Sequence, residues 1–82
     1  MIDERIEILI ASDDEHERCF AEIYVDGRFL ANISDEDPEN GPDIELPGVG
    51  LVEEVIIRSV PLAVFQRGIE LALKRLYPER IP

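Results

Sequence analysis

The side chains able to do chemistry are few and scattered. His16, the only histidine, lies in Asp14-Glu15-His16-Glu17. Neighbouring carboxylates would raise its pKa and suit it to general-base work or to a single metal contact. No second histidine or adjacent nucleophile completes either arrangement, so it reads as an exposed loop histidine. Cys19, the only cysteine, is set among acids that would raise its thiol pKa, the reverse of what a nucleophilic thiolate needs. It reads as a small, half-buried hydrophobe.

Asp35-Glu36-Asp37-Pro38-Glu39-Asn40-Gly41 has the look of a calcium loop until its spacing is checked. An EF-hand needs glycine at the sixth position and glutamate at the twelfth; counted from Asp35, these are Asn40 and Leu46. It reads as a solvated acidic loop that could engage a basic groove on a partner. Pro47-Gly48-Val49-Gly50 lacks the Gly-Lys-Ser/Thr ending of a phosphate-binding loop and reads as a turn. No residue set qualifies as catalytic, cofactor-binding or metal-binding. The chain is expected not to be an enzyme.

Charge narrows the partners. The 82 residues hold 19 Asp and Glu against 8 Lys and Arg, a formal net charge of −11. Residues 1–18 carry seven acids and two bases, residues 35–45 six acids and no base, and residues 61–82 two acids and four bases. Such a chain repels nucleic-acid phosphate and anionic membrane, so neither is expected as a direct partner; a basic protein is. With one cysteine, no basic leader and no apolar run of membrane-spanning length, the expected location is cytoplasmic.

The elements that position these residues follow from periodicity. At 45% hydrophobic content the chain can bury a core, and its length suits a single α+β domain over residues 1–82. From Arg5 to Ala11, Ile6, Ile8 and Ile10 alternate with polar neighbours, as in a half-buried strand. Asp26-Gly27, between two β-rich runs, predicts a hairpin with a type I′ turn. Its register would set Tyr24 opposite Phe29, Ile23 opposite Leu30 and Phe20 opposite Ile33. Phe20, Tyr24, Phe29, Ala31 and Ile33 then share one face, the expected core. Ala21, Ile23, Val25 and Leu30 fall on the other, open to a covering element or a contact.

Ile44 to Leu46 suits a short strand, and Glu54 to Arg58, β-branched and bounded by glycines and Pro61, suits another. Pro61 to Tyr77 is the one helix, with a stripe of Leu62, Phe65, Ile69, Leu73 and Leu76. Gly68, costly in mid-helix, signals close packing. The sum is an antiparallel sheet of four or five strands, with the C-terminal helix packed on one face.

In size, acidity and α+β make-up the chain resembles the small acidic immunity and antitoxin proteins of bacteria. Glu45-Leu46-Pro47-Gly48 ahead of a strand and helix is also similar to the HicB-type antitoxins, though no DNA-binding tail follows. The resemblance implies an inhibitor that neutralises a basic protein such as a nuclease toxin. The resemblance carries over no functional residue; from composition, Asp13, Asp14, Glu15, Asp35, Glu36, Asp37 and Glu39 would meet a cationic cleft in such an inhibitor, with Tyr24 or Phe29 as an aromatic anchor. The alternative is a structural, self-associating module, a homodimer joined through its exposed sheet.

Overall fold

The structure, a computed structural model, describes residues 2–12, 19–35, 39–47 and 53–78. A 3-10 turn, Ile2–Arg5, leads into β1, Ile6–Ala11; β2, Phe20–Val25, and β3, Arg28–Ser34, form the hairpin; β4, Asp43–Glu45, is the last strand. The four make one antiparallel sheet in the order β1-β2-β3-β4, and helix α1, Leu62–Leu76, packs across it. This is the expected α+β arrangement.

The hairpin turns where the sequence says it should. Asp26 (φ 52°) and Gly27 (φ 80°) both take the positive φ of a type I′ turn. Tyr24 pairs with Phe29 and Val25 with Arg28. Beyond that the register departs from expectation: Ile23 pairs with Ala31 instead of Leu30, and Ala21 with Ile33 where Phe20 was expected. Leu30 is the extra residue of a β-bulge. It turns the rest of β3 over, so that Ala31 and Ile33 join the face of Ala21, Ile23 and Val25.

That face carries the main core, although Phe20 on the aromatic one is buried as expected. Ile8, Ala21, Ile23, Val25, Leu30, Ala31 and Ile33 form one buried cluster with Val64 and Ala72 of α1. An aliphatic layer of this kind lets the helix approach more closely than a row of rings would. The seam of α1 is correspondingly slim. Val64, Gly68 and Ala72 are its buried residues, while Phe65, Ile69, Leu73 and Leu76 flank them half-buried and Leu62 is exposed. A Cβ built on Gly68 would stand 3.1 Å from Cγ2 of Ile23. The glycine is therefore a contact point, as its mid-helix position implied.

The expected strand over Glu54 to Arg58 does not form. Glu53–Val55 is a 3-10 turn, and only Ile56 bridges Phe29, in parallel. The Ile57 N–H donates to the Phe29 carbonyl at 2.8 Å, and Nη2 of Arg28 donates to the Ile56 carbonyl at 2.7 Å. β4 already takes the other half of this edge at Asn32 to Ser34, so little length is left for a full strand. At the opposite side Arg67 clamps Asp3 through two 2.8 Å hydrogen bonds, tying α1 to the N-terminal turn.

Candidate functional site

α1 covers the Ile23 face; on the other, Phe20 is buried and Ile56, which follows the 3-10 turn Glu53–Val55 and bridges Phe29, is 1% exposed, both outside the helix-side cluster. Strand alternation and the pairing register assign that face residue by residue. β1 gives it Glu7, Leu9 and Ala11; β2 gives Phe20, Glu22 and Tyr24. β3 gives Phe29, Asn32 and Ser34, and β4 gives Asp43 and Glu45. Four carboxylates are among them, and no lysine or arginine.

Tyr24 and Phe29 form the aromatic centre of the face. Their rings meet edge-to-face with centroids 5.7 Å apart and planes at 64°. Both are half-exposed, whereas Phe20 and Ser34, toward the opposite end, are buried. The cross-strand pair is the one the turn predicts, and the bulge just beyond it keeps both rings off the helix side. Burial, reinforced by the charges of Glu22 and Glu7 and a hydrogen bond with Glu22, pushes the Tyr24 phenol above its usual value. An edge of rigid aromatic surface thus sits in a field of negative charge. Such a face suits cationic side chains, which gain from both carboxylate and ring.

Four of the described bases are engaged elsewhere. Arg5 binds the Asp26 carboxylate of the turn through Nε and Nη2, at 3.2 and 2.8 Å, and holds it below the usual carboxylate range. Arg67 reaches Asp3 and Glu70, with Lys74 also beside Glu70. Arg75 donates to the Ile8 carbonyl at 3.1 Å.

The structure places the expected partner-contact residues unevenly. Tyr24 and Phe29 lie together on the open face. Asp35 does not face solvent: it is buried, its Oδ2 accepts the Tyr77 hydroxyl, and its Oδ1 has no hydrogen-bond partner. Glu39 is exposed after β3. Asp13, Asp14, Glu15, Glu36 and Asp37 lie outside the described residues, as does His16. Cys19, read as half-buried, is exposed just before β2. Glu7, Glu22, Asp43 and Glu45 were missed as contacts, although strict alternation within each strand could have grouped them.

A second concavity of about 500 Å³ opens beside the start of α1, lined by Leu30, Leu46, Ile57, Val60, Leu62 and Phe65, with Arg58 its one charged lining residue. Among the described residues no three His, Cys, Asp or Glu side chains converge to hold a metal ion, and no helix is long and apolar enough to cross a membrane. No family model, curated protein or solved structure matches the chain.

Proposed function

We propose that this protein is a non-catalytic inhibitor of the immunity or antitoxin kind, which neutralises a basic protein such as a nuclease toxin. The observation that supports this best is the sheet face away from α1, where Glu7 and Glu22 flank the half-buried Tyr24–Phe29 pair and Asp43 and Glu45 lie toward the far end, with no lysine or arginine among the strand residues of that face. Aromatic anchors beside carboxylates provide contact area at low entropic cost, while the charge accelerates encounter. Of the expected acidic contacts that the structure describes, Glu39 is exposed, whereas Asp35 is buried and contributes to folding instead.

The test is affinity capture from lysate of the protein's own source, comparing wild type with Glu7→Gln/Glu22→Gln. A basic protein held at low salt, released at high salt and lost from the variant supports the reading. Equal retention by both proteins overturns the face as the contact. The self-associating alternative draws on β1, which ends the sheet with Leu9 and Ile10 exposed. Light scattering of the isolated chain decides it: a salt-indifferent dimer favours the module, a monomer the inhibitor.

A further inference from the structure

Resting on that reading, we infer that the basic partner is held by strand addition: one of its extended segments, alternating basic and apolar residues, pairs with the outer edge of β1, beyond which no described strand lies. The other edge of the sheet is short and partly closed by the Ile56 bridge, whereas β1 presents six residues and is outermost. The pairing parity says which groups are offered. Asp26 N–H donates to the Arg5 carbonyl at 2.8 Å, so Arg5 and its alternate residues Glu7, Leu9 and Ala11 point their backbone toward β2. Ile6, Ile8 and Ile10 therefore turn their N–H and C=O groups outward, the set that templates another strand.

The side chains of β1 specify what that strand carries. Its helix-side row is Ile6, Ile8 and Ile10, with Ile10 still 40% exposed, so apolar residues on the newcomer extend the core layer. Its open-face row is Glu7 and Leu9, backed by Glu22 on β2, so the intervening positions favour lysine or arginine. A second copy of the chain would bring a further −11 to the same edge. A cationic strand meets no such penalty.

Among the described residues, one contact stands in the way. Nη1 of Arg75 already donates to the Ile8 carbonyl, the central acceptor of the outward set. An incoming strand must displace it, which makes Arg75 a guard of this edge against indiscriminate pairing.

The test uses the full chain and two capped peptides of equal charge: one alternating valine and lysine, the other with two valines changed to proline. The expected result is slowed hydrogen exchange at the Ile6, Ile8 and Ile10 amides with the alternating peptide alone. Arg75→Ala should then raise the affinity ratio of the two peptides about two- to tenfold, the worth of one released hydrogen bond. Perturbation confined to Glu22, Tyr24 and Phe29 would overturn strand addition while leaving the inhibitor reading intact. Concentration-dependent protection without peptide would identify a second copy as the occupant and overturn the cationic-strand assignment. No binding of either peptide overturns it too, and the inhibitor reading then stands or falls on the capture experiment alone.

Discussion

Gly68 of α1 lies against Ile23 of β2 so closely that a Cβ on the glycine would sit 3.1 Å from the isoleucine Cγ2. Both residues are buried. The contact opposes two effects of similar size. Alanine at position 68 gains about 1 kcal/mol of helix propensity, yet it presses on a fully buried side chain. Ile23→Ala removes the obstructing methyl and alone costs about 2–5 kcal/mol. We therefore expect Gly68→Ala to be more favourable in the Ile23→Ala background than in wild type. Denaturant unfolding of the four proteins in a double-mutant cycle measures this. A coupling of zero would show that the helix shifts freely over the sheet.

The two ion pairs made by the N-terminal turn just before β1 make an acid-dependent contribution. Arg67 lowers the pKa of Asp3 chiefly through its hydrogen bonds, and Arg5 does the same to Asp26. Folding favours the charged carboxylates, so this stability is present above their ordinary value of 3.8 and is lost as pH falls through the depressed folded values. In thermal melts, wild type should exceed Asp3→Asn/Asp26→Asn at neutral pH. The two should converge in acid below about pH 3.8. Because both pairs are exposed, added salt should also narrow the gap. A difference that persists unchanged into strong acid would attribute the pairs' effect to packing instead of charge.

Tyr24 reports on the electrostatics of the open face. Its phenol is raised first by burial and then by Glu22 and Glu7. The neutral form is thus favoured in the folded protein, and its contribution is intact below pH 10 and lost as pH rises through the elevated value. In a Tyr77→Phe background, absorbance titration follows Tyr24 as the remaining tyrosine. It should titrate above 10, and Glu22→Gln should bring it down toward the ordinary value. A titration unmoved by Glu22→Gln would mean burial alone sets it.

What was legible in the sequence was local. Period-two isoleucines gave away β1, Asp26-Gly27 the turn, and Pro61 with Pro78 the limits of α1. Leu30 was not legible. A bulge is favoured by what packs beyond the strand pair, and α1 rewards bringing Ala31 and Ile33 onto the Ile23 side. Reading the hairpin as a regular ladder therefore put Ala31 and Ile33 among the aromatics and inverted the core. Residues 54–58 misled for a related reason. Their β-branched content suits pairing, but β4 occupies half of the edge they would use. The candidate site suffered from the same error: with the aromatic face read as core, the carboxylate of Glu22 beside Tyr24 has no place as a contact.

Asp35 separates folding from recognition. Its carboxylate accepts the Tyr77 hydroxyl, joining the end of β3 to the residue that caps α1, whose N–H bonds the Leu73 carbonyl at 2.8 Å. Tyr77→Phe deletes the donor and leaves a buried carboxylate poorly satisfied, since Oδ1 already has no partner. The cost should be about 1.5–3 kcal/mol, the range for a hydrogen bond to a charged group. Association with a cationic peptide should be unaffected, because neither residue lies on the open face. Glu7→Gln/Glu22→Gln should do the opposite, slowing association at low salt with little loss of stability. Stopped-flow association alongside urea unfolding checks both arms. A Tyr77→Phe protein that folds with undiminished stability but binds more slowly would return Asp35 to the contact surface.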